Sequence, residues 1–257
     1  MWKRKIQNTL VRVGGRGARR EQFLIKLLNY HFRAKQRLEW ELSSEPPHFY
    51  DQRSTVYSLA FDSSPPSSHT LDRAAAARDV IVDGDKVLDI GCGDGFFTRR
   101  FYCDRASQID AIDVEESAID HAQRFHADPK IVYRKLDAVA EAFPQSQYGV
   151  VVWNGALGHF STDDTAVVMK KVSLALGSRG VFVGSESLGL EGHDHLQFFP
   201  DEAAVQGLFL PYFQYVATRT VSYPIGRHRG FLRQEVFWRC ANERESLTRD
   251  SWHWAVQ

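Results

Sequence analysis

Cysteine is scarce. The three present, Cys92, Cys103 and Cys240, include no pair at C-x-x-C spacing. The chain therefore offers neither a disulfide framework nor a zinc knuckle, which fits a reducing compartment and leaves no structural metal to expect. Long apolar runs are also missing: Val150 to Trp153 is typical, far below the roughly 20 residues needed to cross a bilayer. A secretory signal is excluded too, because no apolar stretch follows the basic start and Val13-Gly14-Gly15-Arg16-Gly17 breaks it further. A soluble, cytoplasmic protein is expected. Disorder throughout is excluded as well, since 43% of the 257 residues are hydrophobic and 25% are charged, enough to bury a sizeable core.

Net charge is absent, yet the zero conceals an asymmetry. Residues 1–40 hold eleven Lys and Arg against Glu21 and Glu39, a local charge of +9, and the remaining chain carries −9. Three readings of the basic segment stand side by side. It is a solvated face offsetting an acidic core, a lid, or an attraction to an anionic glycan, lipid surface or RNA.

From Arg19 to Trp40 the apolar residues Phe23, Leu24, Leu27, Leu28, Phe32 and Leu38 recur at mostly helical spacing, which predicts an amphipathic helix. Ser43-Ser44-Glu45-Pro46-Pro47 and Ser63-Ser64-Pro65-Pro66-Ser67-Ser68 then interrupt regular structure. After an Ala-rich helix, Leu71 to Arg78, short β-branched runs alternate with amphipathic stretches. The expected strands are Lys86 to Ile90, Gln108 to Val114, Lys130 to Leu136, Tyr148 to Trp153 and Val181 to Ser187. The expected helices are Phe96 to Tyr102, Glu116 to Ala127, Asp163 to Leu176 and Asp201 to Leu208. Such alternation indicates an α/β fold with a parallel sheet and helices on both faces. Phe213 to Tyr223 and Gly230 to Trp238 read as a closing antiparallel hairpin about Pro224-Ile225-Gly226-Arg227. The resulting division is a basic helical extension or lid (1–69), a main domain (70–240) and a tail (241–257).

The most informative stretch is Val87-Leu88-Asp89-Ile90-Gly91-Cys92-Gly93-Asp94-Gly95-Phe96-Phe97-Thr98. An apolar strand enters a turn with glycine at every second position, and a helix follows. Glycines there permit positive φ and let a ligand approach the backbone, while amides at the helix start point toward an anionic group. A dinucleotide fingerprint would place its third glycine at Phe96, and a P-loop would need a following Lys that is absent. What stands here, Asp89 followed by G-x-G-x-G, resembles the first motif of class I S-adenosylmethionine-dependent methyltransferases.

That resemblance extends over most of residues 70–240 and implies a Rossmann-like, seven-stranded, mostly parallel sheet with one antiparallel strand. It implies S-adenosyl-L-methionine as cofactor, held by Asp89, Gly91, Cys92, Gly93 and Gly95, then by Asp113 and Val114 at the second strand end, Asp137 and Ala138 at the third, and Asn154 at the fourth. The family's acid at the second strand end accepts from the ribose hydroxyls, and the third meets the adenine amino group. Asp113 lies 24 residues after Asp89, near the general distance of about 20 for a ribose-binding acid. Asp110 is its rival, but the helix-start pattern after Asp113 favours Asp113.

Asn154-Gly155-Ala156-Leu157-Gly158-His159-Phe160 resembles the loop between cofactor and acceptor, and His193-Asp194-His195-Leu196-Gln197-Phe198-Phe199-Pro200-Asp201 resembles the stretch after strand five in small-molecule and glycan methyltransferases. His159 is the leading candidate base, because imidazole has a suitable pKa. His195 is the second candidate, and His193 and Glu186 share its edge. The tetrad typical of base-amine methylation is missing, since Gly155, Ala156 and Leu157 stand where prolines and an aromatic belong. Asn154 also occupies the place of the carboxylate used by metal-dependent catechol-type enzymes. Metal-independent O-methylation of a small molecule or glycan is therefore expected. The alternatives are RNA or protein methylation through the basic N-terminus, and a non-catalytic cofactor-binding module. In the lid reading, Tyr50, Arg53 and Tyr57 line the acceptor pocket or meet the cofactor carboxylate.

Overall fold

The computed structural model describes residues 69–189, 195–224 and 232–248, together with the isolated helical positions Phe23, Leu27 and Tyr30. The chain divides into two compact units, Met1–Pro66 and Ser67–Gln257. In the first, Phe23, Leu27 and Tyr30 are helical and share one face at spacings of four and three residues. The rest of the expected N-terminal helix, with Tyr50, Arg53 and Tyr57, lies outside the described residues.

In the second unit, α1 (His69–Val80) precedes β1 (Lys86–Ile90), and β2 (Gln108–Asp113) leads into α2 (Glu116–Phe125) and β3 (Ile131–Lys135). Then come β4 (Tyr148–Asn154), α3 (Thr162–Ala175), β5 (Leu176–Ser187), α4 (Glu202–Phe209), β6 (Tyr215–Pro224) and β7 (Leu232–Ala241). The strands form one sheet in the order β3-β2-β1-β4-β5-β7-β6. β1 to β5 pair in parallel, and β7 lies antiparallel between β5 and β6. This is the Rossmann-like, mostly parallel α/β sheet expected, with the antiparallel pair at the C-terminal side. The hairpin connection itself, from Ile225 to Phe231, lies outside the described residues.

The central strands are apolar because both their faces are covered. One side buries Leu88, Ile90, Val151, Trp153 and Phe182 against α3 and α4, and the other buries Val87, Ile109, Val150 and Val152 with Ala77 and Ile81 of the α1 side and Ile119 of α2. Alternate residues of one strand thus feed opposite layers.

Three segments depart from the sequence reading. The turn expected as a helix over Phe96–Tyr102 becomes a π-helix at Thr98–Tyr102. β5 begins at Leu176 rather than Val181, directly after α3, and its pairing with β4 shifts register between Tyr148 and Val150. The β-branched run reveals only the buried half of that strand; the earlier half, with Ser178 and Arg179 exposed, carries no such pattern. Beyond Ala241, where a tail is expected, a 3-10 turn at Arg244–Thr248 buries Leu247 and packs against β5 and β7.

Candidate functional site

Ligands in open parallel sheets bind beyond the carboxyl ends of the strands, and the sequence-predicted residues gather there. Ile90 pairs with Ile112, and Asp113 pairs with Lys135. The glycine loop, Asp113 and Asp137 therefore succeed one another along three neighbouring strand ends.

Gly91, Gly93 and Gly95 have φ of 70°, 55° and 75°, the left-handed region that side chains disfavour. Packing reinforces this at two of them. A Cβ on Gly95 would lie 2.7 Å from the Tyr133 ring and 2.8 Å from Ala122, and one on Gly91 would lie 3.0 Å from Ala156.

The loop amides differ from expectation. Gly91 and Cys92 donate to the carbonyl of Ile112 at 2.9 and 3.0 Å, Gly95 donates to Cys92 O, and Phe96 donates to Asp94 Oδ1 at 3.1 Å. Gly93 donates to Asp113 Oδ2 at 2.8 Å. These donors are engaged within the protein, so they do not form an anion cradle. What the loop presents is carboxylate: Asp89 and Asp94 are buried within it and Asp113 adjoins it. That donor set suits a cationic ligand better than a phosphate.

Asp89 accepts from Thr98 Oγ1 at 2.6 Å, a contact made by the π-helical turn. Burial pushes its carboxyl up to about 7, opposed by the Thr98 hydrogen bond and aided by the Asp113 charge. Asp113 accepts from the amides of Gly93 and Glu115, the latter at 2.9 Å. Burial raises its pKa, and the backbone amides of Glu115, Gly93 and Val114 restrain the rise. A carboxylate has about four lone-pair sites, so acceptor capacity remains for a ligand hydroxyl beside the backbone amides.

Asp110, the rival, is fully buried and accepts from Tyr148 Oη at 2.9 Å and Gln145 Nε2 at 2.7 Å. It is a core acceptor on the strand, not an edge group. Asp137 uses Oδ1 to accept from Val139 and Ala140 at 2.7 and 3.2 Å, closing the turn after β3. Ala138 is buried, with its carbonyl on Lys171 Nζ at 3.0 Å. Val114 is 65% exposed beside Asp113, leaving an apolar surface at the strand end. Asn154 is tied by its Nδ2 to Arg73 O and Tyr102 Oη, at 3.3 and 3.2 Å, and accepts from Ser185 Oγ.

The loop after β4 brings the two candidate bases together. The rings of His159 and His195 meet edge to face with centroids 4.7 Å apart. Gly158 sets the junction. Its amide donates to Glu186 Oε2 at 3.0 Å, and its carbonyl accepts from Leu196 and Gln197 at 2.8 and 3.2 Å. A side chain there would overlap the His195 imidazole. Gln197 Nε2 adds bonds to Leu157 O and Thr165 Oγ1. His159 is exposed and His195 half-buried; His193 lies outside the described residues.

Beneath this loop is a charged group that sequence reasoning missed. Arg73 Nε donates to Glu235, and Arg73 Nη2 lies 3.9 Å from Glu186. Arg233 Nε donates to the other oxygen of Glu235 at 3.1 Å. Burial raises the pKa of Glu235, while the two arginines pull it down. The one visible signal is an arginine set among the alanines of α1, next to positions that are buried.

Residues 87–180 match the model of a methyltransferase domain. That stretch, which holds the glycine loop and the ends of β1 to β4, is similar to a methyltransferase domain. An uncharacterised methyltransferase of Mycobacterium bovis is 32% identical over 81 residues, covering 32% of this chain and 41% of that protein. The eEF1A lysine and N-terminal methyltransferase of Bos taurus is 28% identical over 112 residues, covering 43% of this chain and 16% of that protein. The chain thus matches less than half the length of these curated relatives. A solved S-adenosylmethionine-dependent methyltransferase from Leishmania major shares the fold, with a TM-score of 0.54 at 14% identity over 67% of this chain and 72% of that one. No helix among the described residues is long and apolar enough to cross a membrane.

Proposed function

We propose that the chain transfers the methyl group of S-adenosyl-L-methionine to an oxygen of a small-molecule or glycan acceptor, in the cytoplasm, with His159 as the base. The observation that carries this reading is the meeting of His159 and His195, from two separate loops, on the sheet edge that also bears the glycine loop and Asp113.

The residues fit the cofactor by the chemistry of their donors. The carboxylates of Asp89 and Asp113 favour its positive charges, Asp113 retains acceptor capacity for the ribose diol, and exposed Val114 offers an apolar face to a purine. Asp137 and Ala138 stand at the adenine end, Cys92 lines the loop, and Asn154 positions the β4 end through its three bonds. When bound, the cofactor supplies an electrophilic methyl on a neutral leaving group, so the protein's main tasks are alignment and exclusion of water. His159 takes the acceptor's hydroxyl proton as the oxygen is methylated. His195 braces the His159 ring, and Glu186 fixes the loop beneath through the Gly158 amide. The amide of Asn154 donates where a metal-dependent enzyme needs a carboxylate, so the step is written without a metal.

His159→Ala is expected to leave affinity for S-adenosylhomocysteine unchanged by calorimetry and to lower turnover by at least about 100-fold. Unchanged turnover rejects the base role. The acceptor class is read by adding radioactive cofactor to a cell extract. Label in the low-molecular-weight or glycan fraction supports the reading, label in protein or RNA favours the second one, and no label supports a non-catalytic binding module. The second reading rests on the basic N-terminal segment and on a relative named for a protein acceptor.

A further inference from the structure

Asp94, between the second and third glycines of the loop, meets two histidines from a different part of the chain. His121 lies on the last two turns of α2, and His126 is the residue that caps it. One ligand atom from each of the three lies within 4.8 Å of the other two, and all three residues are buried. We propose that Asp94, His121 and His126 form a binding site for a divalent transition-metal ion of the Zn2+ type, which clamps the glycine loop to α2.

The chemistry of the set fits. Two imidazoles and one carboxylate are borderline ligands that suit Zn2+, whereas Mg2+ and Ca2+ take oxygen donors. Small side-chain rotations bring atoms at this separation to the roughly 2.0–2.1 Å bonds of Zn2+. The ligands are held from behind. Asp94 Oδ1 accepts the Phe96 amide at 3.1 Å, while Tyr133 Oη donates toward the carbonyls of His126 and Gly95, at 3.1 and 3.3 Å. An aromatic shell flanks the group, with the half-exposed Phe125 ring 4.6 Å from His121 and the Phe96 ring 5.9 Å from His126. Such a shell limits water access and strengthens a buried ion's hold on its ligands.

The site is distinct from the His159 edge, and its role is structural. An ion bridging Asp94 to α2 fixes the stretch from Gly93 to Gly95, and binding to the folded state alone raises stability by mass action.

The test uses the full chain, stripped with a chelator and titrated with ZnCl2 by calorimetry, with thermal unfolding recorded beside it. The expected result is saturable binding of one ion and a rise in Tm with Zn2+ that Mg2+ does not reproduce. His121→Gln and His126→Gln, each checked for folding by circular dichroism, are expected to weaken binding at least about tenfold, whereas Cys92→Ser retains it. Co2+ in place of Zn2+ is expected to give visible absorption that both histidine variants lose. Absence of saturable binding, or binding that survives loss of either histidine, overturns the proposal. If one variant fails to fold, the Co2+ absorption of the other decides.

Discussion

Asp89 shows how a single residue combines a sequence signal with an energetic property hidden from it. Its place before the first glycine is plain in the sequence, but its burial and the Thr98 hydroxyl at 2.6 Å come from the π form of a turn that the sequence reads only as helix. The carboxyl moves from 3.8 to about 7 in the folded protein. The folded state therefore holds the proton more tightly than the unfolded chain between those values. This contribution to stability is complete below about pH 4 and is lost as pH rises through about 7, on the order of 4 kcal/mol in all. Asp89→Asn is expected to flatten that part of the stability profile, measured by urea unfolding from pH 5 to 8; an unchanged slope assigns the dependence elsewhere. A second residue-scale prediction separates conformation from packing. Gly84 and Gly95 both have positive φ, but a Cβ on Gly84 meets open space and one on Gly95 meets Tyr133 and Ala122. Gly84→Ala is expected to cost about 1–2 kcal/mol for the left-handed backbone, and Gly95→Ala a further 1–3 kcal/mol or so for overpacking. Equal losses in urea unfolding would contradict the packing account.

At the scale of elements, the loop bearing His159 is defined by what ends it. Ser161 caps α3, with its hydroxyl accepting from the Asp164 amide at 3.1 Å and donating to the Asp164 carboxylate at 2.7 Å. Ser161→Ala is expected to destabilise the protein by about 1 kcal/mol. It is also expected to lower turnover more than cofactor affinity, because the cap is two residues from His159 and remote in sequence from the glycine loop. Equal losses in turnover and S-adenosylhomocysteine affinity would show that the cap does not act through this loop. The strands were legible wherever two layers cover them, as in Val150 to Trp153, whose neighbours feed opposite cores. The first half of β5 was not legible, because exposed Ser178 and Arg179 lie in the strand without any apolar alternation, where its register against β4 shifts. Nor was the π form of the turn at Thr98–Tyr102, since the apolar spacing there reads only as helix.

For the whole molecule, both large core clusters, among the described residues, are drawn from residues beyond Pro66. A chain of residues 67–257 is expected to fold by itself, with a single cooperative thermal transition and retained S-adenosylhomocysteine binding; loss of cooperativity would place essential core residues in the N-terminal unit. The sequence alone determined the layer order, the glycine loop and the acids at successive strand ends. Alternating apolar runs and positive-φ turns are local requirements, written residue by residue. Only the tertiary structure made Asp110 a core acceptor, because Tyr148 and Gln145 reach it from a distant segment. It likewise brought His159 to His195, set Arg73 against Glu235, and gathered Asp94 with His121 and His126. These groups lie far apart along the chain or at no recognised motif spacing. Their proximity is a product of how the strands are ordered in the sheet and how its layers pack, which no short window of sequence contains.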